Sequence, residues 1–483
     1  MGLIELIFIC YVLILLITGL FAFNLNKTQE DYLLAGRRLG PWVTAFSERA
    51  SGESAWLLLA LPGAVITVGI SISWSIVGII LGIIASWYLI AEKLRDETAK
   101  YNALTIPDYL HKRFDDDTNI IRNFSSVIIA FFFLFYVSAQ LHASGKILNS
   151  LFLIDPYMGI TIGAFVIIFY TLMGGFTAVA WTDLFQGFLM IGTLIILPIT
   201  GFIEVKSSGV KISEILAMAS SVFENNNDYL FKNENFIGGV FIALSGISWG
   251  FGYLGQPHLL IRFMAIKSSK DIRLARRIAI AWAFPAIIGA FFVGLVALLH
   301  FGPSFFLTVD AEKAMPILTK YLMHPVIAGF FISGAVSAMM STADSQLLVS
   351  SSAVTEDLLY KSRFKNRFRG NPVAINRIVV IIIGIIAYGI AIFSELKSKS
   401  IFGIVSYAWS GLGSAFGPVL LLSLWWKKIN RNGALAGILT GFFVTILWSN
   451  ISFFSNIITE RFSSFVLSFI LTILISIYYH DKN

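Results

Sequence analysis

Three charged side chains lie close together in a segment that is otherwise apolar. Glu48, Arg49 and Glu53 fall within residues 46–56, where an unpaired charge at membrane depth would cost about 3 kcal/mol or more. Arg49 and Glu53 are four residues apart, so they can share a helix face as a buried structural ion pair. Because Glu53 follows Gly52, its carboxylate is equally a candidate for a cation or proton site. Glu48 is expected to line a wet vestibule.

A second polar group lies within residues 335–346, where Ser341, Thr342 and Asp344 follow an apolar run. Hydroxyl and carboxylate oxygens are the ligands that alkali and alkaline-earth cations prefer. Serine and threonine in membrane helices also commonly bond to a backbone carbonyl four residues back, so a structural role for the two hydroxyls stays open. Asp344 points to an ion pathway, because an acid in the middle of an apolar helix is seldom without function.

Residues 246–258 combine four glycines with Trp249, Tyr253 and Pro257, which are spaced by four. This spacing predicts that the three side chains line one helix face, where the neighbouring glycines would let a solute approach the backbone. A buried aromatic stripe within the bundle is the alternative. His258 is interpreted as a loop or cap residue.

Asp183 lies near the start of a predicted spanning helix, just after Gly174 and Gly175. It could cap that helix through the first amides or take part in a cation pathway, and both interpretations stay open. The six histidines are scattered mostly at predicted helix ends without the spacing of metal ligands. With no nucleophile paired to a base, a membrane enzyme is disfavoured.

The elements that position these residues are membrane helices. Of the 483 residues, 57% are apolar and 13% are charged, against roughly a quarter charged in an ordinary soluble domain. Apolar runs of about twenty residues, enough to cross a bilayer, recur along the chain. The single cysteine, Cys10, excludes an intrachain disulfide and a thiol metal cluster. The first apolar run lacks a basic leader and a small-residue cleavage site, so we expect a retained helix.

Apolar length and polar punctuation predict an all-α polytopic membrane protein of about thirteen transmembrane helices. Two of the predicted helices look broken, the segments 42–66 and 236–262, because both carry glycine and proline in their interiors. Transporters built from inverted repeats use such discontinuous helices at corresponding places in their two halves, where unwound carbonyls can hold a cation. Glycine packing alone is the competing explanation.

The basic residues alternate between loops. Of the 35 Lys and Arg, 25 fall in the loops of one side, nine in the intervening loops, and Arg49 lies inside a helix. The positive-inside rule then places the amino terminus outside and the carboxyl terminus in the cytoplasm, which an odd helix count satisfies. The split also accounts for the net charge of +7 without a nucleic-acid or other anionic partner.

Six stretches, in order along the chain, carry a family resemblance: 31–40, 54–64, 181–183, 252–264, 341–349 and 355–360. With them the chain resembles the sodium/solute symporter family, and within it the bacterial sodium/proline symporters. The resemblance implies thirteen helices with a five-plus-five inverted-repeat core and a broken first helix in each repeat. The expected organisation is a single transporter domain, made of a peripheral helix at 3–24, repeats at 42–203 and 236–426, and two peripheral helices within 433–480.

The resemblance also implies site residues. A sodium ion would be held by carbonyls at Ala50 and Glu53 and by Ala338, Ser341 and Thr342. A solute pocket would include Tyr136, Trp249, Tyr253 and Pro257, with Ser54 at the same junction. Arg37 would act on the inner side in sodium binding or release, and Asp183 would correspond to an acid of the ion passage or of a second cation site.

The chain departs from the family pattern at several of these places. Proline carriers of this family usually have an aspartate where this chain has Gly52, small residues at Glu48 and Arg49, and a serine at Asp344. The acid is displaced by one residue onto Glu53. A buried glutamate can also carry a proton, so proton coupling stays open.

Together these observations predict a secondary active transporter of the inner (plasma) membrane, a sodium-coupled symporter of a small organic solute, proline first, working by alternating access. Sodium is the expected coupling ion, with no organic cofactor and no obligate protein partner, and the surroundings are lipid. The alternatives are a sodium- or proton-coupled symporter of another amino acid or organic acid and, from another class, a membrane solute sensor with a transporter fold.

Overall fold

The computed structural model describes residues 2–22, 29–223, 236–361 and 371–480, and within them the chain is a bundle of helices. In this described part, nine helices are long and apolar enough to cross a membrane, or up to eleven when each of two bent pairs counts as one span. In chain order the principal helices are α1 (Leu3–Ala22), α2 (Pro41–Gly52), α3 (Trp56–Val68), α4 (Ile70–Lys100), α5 (Ile120–Phe152), α6 (Pro156–Ser207), α7 (Ile237–Gly252), α8 (Pro257–Ala265), α9 (Ser269–Phe301), α10 (Pro325–Tyr360), α11 (Pro372–Leu396), α12 (Ile401–Trp425), α13 (Arg431–Asn450) and α14 (Glu460–Tyr479). Shorter helices lie at Gln29–Leu34, Ile106–Arg113, Ile212–Val222 and Ala314–Leu322.

The two bent pairs are α2 with α3, at 54°, and α7 with α8, at 42°. The first bend follows Gly52, and α3 opens with a widened turn over Trp56–Ala60. The second bend occupies four residues and ends at Pro257, whose fixed φ and lack of a backbone N–H suit the first position of a helix. The prediction of two broken segments at these places is therefore confirmed.

Helix α6 comprises two helical segments within 52 residues; one straight helix of that length would be about 78 Å long, more than twice a hydrocarbon core. Gly175 breaks it, with φ of 58° and ψ of 179°, a conformation that a side chain would strain. The sequence expectation of separate helices on either side of this glycine agrees with the break. The count of thirteen spans stays a prediction.

Helix α10 is the axis of the bundle and packs against α2, α5 and α6. Its middle carries small residues such as Gly334, Ala338 and Ser341, which let neighbouring backbones approach closely in a membrane. Helix α12 packs on the other bent pair. The two breaks are thus enclosed by long helices, which places polar backbone away from lipid, as discontinuous helices require.

Some of the expected features lie outside the described residues. These are positions 23 and 24 of the first predicted helix, and Lys27, Lys232, Lys482 and the basic residues within 362–370 among the loop charges. The division into two repeats stays a prediction.

Candidate functional site

The break after α2 meets the middle of α10 through a set of hydroxyls. Ser51 Oγ lies 2.9 Å from Ser341 Oγ, and Thr342 Oγ1 donates to the Ser51 carbonyl at 2.9 Å. All three residues are buried, as are Ala50 beside them and Ala338 one turn earlier on α10. The structure therefore brings Ser341 and Thr342, two of the predicted sodium ligands, against Ser51, which adjoins the predicted ligand Ala50, so that hydroxyl and carbonyl oxygens face each other in a water-poor interior.

Asp183 forms a fully buried ion pair with Arg262 of α8. The Arg262 Nη2 donates to Asp183 Oδ2 at 3.0 Å, to Ser51 Oγ at 2.7 Å and to Ser345 Oγ at 2.5 Å. The interpretation of Asp183 as a helix cap is wrong, since α6 begins at Pro156 and its break precedes Asp183 by eight residues. Arg262, counted from the sequence among the loop charges of the basic side, belongs to the core instead.

Asp344 lies across the same interface, between α10 and α6. Its Oδ1 accepts from Thr171 Oγ1 at 2.6 Å, while its Oδ2 has no hydrogen-bond partner among the described residues. Two turns earlier on α10, Ser337 Oγ and the Tyr11 hydroxyl are 2.5 Å apart. Asp183 and Asp344 are thus two buried acids in one helix interface, and their part in an ion pathway stays a prediction.

The three charges of α2 form one buried cluster. Arg49 Nη1 donates to Glu53 Oε1 at 2.8 Å, and Arg49 Nε donates to Glu48 Oε2 at 2.6 Å. The expected Arg49–Glu53 ion pair is confirmed. The expectation that Glu48 lines a wet vestibule is wrong, because Glu48 is buried and also accepts from Trp87 Nε1 at 3.0 Å.

The aromatic candidates converge on Trp409 of α12. Ring centroids of Tyr253, Tyr136 and Trp249 lie 4.7, 6.3 and 6.4 Å from that of Trp409. Trp409 Nε1 also donates to the Trp249 carbonyl at 2.9 Å. Sequence reasoning missed Trp409, although a tryptophan followed by serine and glycine within an apolar helix was a usable signal.

Other details of this segment differ from expectation. Pro257 does not share a helix face with Trp249 and Tyr253, because the chain bends between them, and it lines a small crevice with Thr105 near the basic end of the bundle. His258 is buried, with its ring centroid 5.8 Å from that of Tyr136, so the loop or cap interpretation is wrong. Ser54 lies within the first break, where its Oγ accepts from the Trp56 amide at 3.3 Å.

Two glycines of α7, Gly250 and Gly252, serve helix packing. A Cβ on Gly252 would lie 1.8 Å from Trp409 Nε1, and one on Gly250 would lie 2.2 Å from the Gly78 carbonyl oxygen. The space beside these two glycines is filled by protein. The expectation that they expose backbone to a solute is therefore wrong, and they instead set how closely α7 approaches α4 and α12.

A polar cavity of about 540 Å³ opens at the end of the bundle where α3 terminates, hereafter the vestibule. Lys146 lies at its wall and pairs with Asp310 at 2.6 Å and with Glu312 at 2.5 Å. Burial of the Asp310 carboxyl raises its pKa, but the Lys146 ammonium outweighs burial and holds this pKa below its ordinary value. Phe402 also lines the vestibule, and its ring packs 5.1 Å from Trp249. The vestibule thus ends one aromatic layer above the candidate solute residues.

The opposite, basic end is closed by backbone and arginine contacts, hereafter the seal. Leu39 and Ile266 form a parallel bridge. Arg37 donates to the Ala103 carbonyl at 2.6 Å and to the Met264 carbonyl at 3.1 Å, and its side chain is only 12% exposed. Arg37 therefore ties the segment before α2 to the end of α8, so that each bent pair is held at this end.

Comparison with known proteins adds a family match. The model of the sodium:solute symporter family matches residues 32–441. The high-affinity proline transporter PutP of Bacillus subtilis (strain 168) is 40% identical over 465 residues, covering 96% of this chain and 95% of the relative. The sodium/proline symporter of Escherichia coli (strain K12) is 40% identical over 446 residues, covering 91% and 86%.

Solved structures resemble the fold over nearly its whole length. A Na+-coupled sialic acid symporter in a substrate-bound outward-open state has a TM-score of 0.78 at 19% identity, with 100% of this chain and 98% of that chain covered. The nucleobase-cation-symport-1 family transporter Mhp1 has a TM-score of 0.58 at 13% identity, with 93% and 94% covered. Both likenesses concern the arrangement of the helices.

Proposed function

Because this chain belongs to the sodium:solute symporter family, we propose that it carries proline into the cell together with sodium, driven by the inward sodium gradient. The chain is a multi-pass helical membrane protein of a transporter family. The observation that carries the choice of solute is its 40% identity to proline transporters over more than 90% of its length.

The proposed coupling site is the junction of Ser51, Ser341 and Thr342. Sodium would be held there by the hydroxyls of α10 and by carbonyls at Ala50 and Glu53, whose backbone stands at the break in the helix. Binding a cation at this junction ties α10 to the α2–α3 pair. Because binding free energies are reciprocal, a sodium ion that favours solute binding is itself favoured by solute to the same degree.

The proposed solute site lies between the two breaks, against Tyr136, Trp249 and Tyr253, with Ser54 at its edge. The aromatic rings offer apolar walls for a small ring, and the broken helices offer backbone groups for a carboxylate and an amine. The contacts of Trp409 with all three aromatic residues support including it in this wall. Pro257 supports the position of α8 instead of touching the solute.

Alternating access would then use the two ends described above. The vestibule gives a polar route towards Trp249, and the seal at Leu39, Ile266 and Arg37 closes the other route. The alternation of basic loops supports an amino terminus outside and a carboxyl terminus in the cytoplasm of the plasma membrane. In that orientation the vestibule faces outward and the seal faces the cytoplasm.

Counterflow in proteoliposomes tests the proposal. Purified protein is loaded with unlabelled proline, and entry of labelled proline is followed with sodium, without sodium, and with a pH gradient alone. We expect sodium-dependent exchange of proline that other small solutes inhibit weakly. Exchange driven by the pH gradient alone would show that the coupling ion is a proton and not sodium. Absence of proline exchange under every gradient would overturn the proposal.

A further inference from the structure

One carboxylate oxygen at the first helix break lacks a partner. Glu53 is fully buried, and its Oε1 accepts from Arg49 Nη1 at 2.8 Å and from the Tyr253 hydroxyl at 3.3 Å. Its Oε2 is buried too, but no described residue donates a hydrogen bond to it. A buried anionic oxygen without a donor is costly in a protein interior. Such an oxygen is a candidate contact for a ligand that enters from outside the chain.

The neighbouring charges do not supply the missing partner. Arg49 commits its Nε and Nη2 to the two oxygens of Glu48 and its Nη1 to Glu53 Oε1. Glu48 is further bound by Trp87 Nε1 at 3.0 Å. The cluster of Glu48, Arg49 and Glu53 has two carboxylates and one guanidinium, so it lacks one positive charge. The atom without a cationic partner is Glu53 Oε2.

The surroundings of Glu53 favour an organic cation over a bare ion. The Tyr253 ring, whose hydroxyl reaches Glu53, lies with its centroid 4.7 Å from that of Trp409, and Trp249 stacks on Trp56 at 5.7 Å. The Arg49 guanidinium lies over the Tyr253 ring at 5.4 Å and that of Arg461 over the Trp249 ring at 4.6 Å, so these rings already face cations, and they give apolar contact to carbons attached to a charged nitrogen. The oxygen-rich junction at Ser341 and Thr342, by contrast, offers hard neutral ligands that suit an alkali ion.

We propose that Glu53 Oε2 is the group that recognises the positively charged nitrogen of the transported solute. This inference rests on the proposed function, since it assigns one contact of the same solute site. Glu48 is a positioning residue, because it holds Arg49 in place and so fixes the other oxygen of Glu53. The site then selects solutes with a protonated or quaternary amine beside a small apolar ring or chain, and it rejects neutral and purely anionic solutes of the same shape.

The test compares proline with tetrahydrofuran-2-carboxylate, in which an ether oxygen replaces the charged ring nitrogen. Sodium-dependent binding of labelled proline to purified full-length protein is measured, with each compound as competitor. In the native protein we expect the ether to compete at least about tenfold more weakly, as loss of a charge-assisted hydrogen bond implies. In Glu53→Gln we expect proline to bind more weakly and the ratio between the two competitors to fall towards one.

The variant is expected to fold, because Glu53→Gln leaves Glu48 and Arg49 as a neutral pair. Glu53→Asp, which withdraws the carboxylate by one methylene, is measured in parallel and carries the comparison if Glu53→Gln does not yield monodisperse protein; its ratio should also fall. Glu214→Gln, an exposed carboxylate on the short helix Ile212–Val222, is the matched control and should leave the ratio unchanged.

The outcomes separate the two claims. If native protein binds proline with sodium and the competitor ratio is the same in Glu53→Gln as in the native protein, the Glu53 assignment is overturned while the proposed function stands. That same result is expected if Glu53 only carries a proton or contacts a second sodium ion. If native protein does not bind proline under any sodium concentration, the proposed function fails and the assignment fails with it.

Discussion

At the scale of single residues, the hydroxyls of Ser341 and Thr342 on α10 make different contacts. Ser341 exchanges a hydrogen bond with Ser51 through its side chain, whereas Thr342 reaches a backbone carbonyl of the break. Neither contact is the bond to its own helix that the sequence left open for these side chains. Their oxygens are therefore placed for a ligand shared between the two elements.

We predict that Ser341→Ala and Thr342→Ala each raise the sodium concentration needed for half-maximal transport, by roughly fivefold for loss of one ligand worth about 1 kcal/mol. Sodium titration of proline uptake measures this shift. Thr445→Ala is the matched control, because Thr445 is buried on α13 and bonds to its own helix at Gly441. An unchanged sodium dependence in both α10 variants would mean that these hydroxyls are structural.

Breaking the Asp183–Arg262 pair is expected to lower the stability of the fold. Removing Arg262 alone leaves a carboxylate buried without its cation, which typically destabilises a protein by about 3–5 kcal/mol. We predict that Arg262→Met lowers the thermal unfolding midpoint strongly and that Asp183→Asn combined with Arg262→Met recovers much of the loss. Thermal unfolding in detergent measures Arg262→Met, Asp183→Asn and the double variant.

The control for that experiment is Lys211→Met, which breaks an ion pair whose side chains are 74% and 66% exposed. Exposed pairs contribute little, so its midpoint should stay near that of the native protein. If the double variant is as unstable as the sum of the single variants, the two side chains are energetically independent and the pair does not hold α6 to α8.

At the scale of elements, the break positions were predictable and the contacts across them were not. Gly52, Gly175 and Pro257 indicate local departures from helical geometry, because these depend on the covalent structure of glycine and proline themselves. The partners of Arg262 and Trp409 depend on which helices the bundle brings together, and their contacts join residues 79 and 160 positions apart. Local pattern carries no information about such pairs, so the contacts of Trp409 and the true setting of Arg262 required the structure.

Gly252 tests how α7 is seated on α12. A Cβ at this position would overlap Trp409 Nε1, which itself donates a hydrogen bond to the Trp249 carbonyl. We predict that Gly252→Ala lowers stability by about 1–3 kcal/mol, as overpacking does, and weakens proline binding by displacing Trp409. Thermal unfolding and binding assays on purified protein measure the two effects.

Gly239→Ala is the matched control, since Gly239 lies on the same helix and a Cβ there would meet nothing within 4 Å. Replacing glycine by alanine inside a helix is normally favourable by roughly 0.5–1 kcal/mol, so this variant should be neutral or slightly more stable. Equal behaviour of the two variants would show that Trp409 can move without consequence for α7.

At the scale of the whole molecule, the two ends of the bundle differ in what closes them. The vestibule is bounded by side-chain ion pairs such as Lys146 with Glu312, which also accepts from the first amides of α12. The seal is made by backbone pairing of Leu39 with Ile266 and by Arg37. This difference describes one of at least two states, since transport requires the seal to open and the vestibule to close.

The balance between those states can be followed at Thr67, which is exposed in the vestibule wall. The single native cysteine, Cys10, is first replaced by serine, and Thr67→Cys is then labelled with a membrane-impermeant maleimide in intact cells. Arg37→Met removes the hydrogen bonds to the Ala103 and Met264 carbonyls across the closed seal. Because each such bond contributes about 1 kcal/mol or more, we predict that Arg37→Met slows labelling several-fold by populating the state with a closed vestibule.

Arg38→Met is the control, because Arg38 neighbours Arg37 in the chain but is 74% exposed and pairs with Asp31 away from the seal. It changes the charge of the same segment by the same amount, so an electrostatic effect on topology would slow labelling in both variants alike. Equal labelling rates in Arg37→Met and the native background would show that Arg37 does not hold the seal. Labelling of Thr67→Cys only after permeabilisation would reverse the proposed orientation, since the vestibule would then face the cytoplasm.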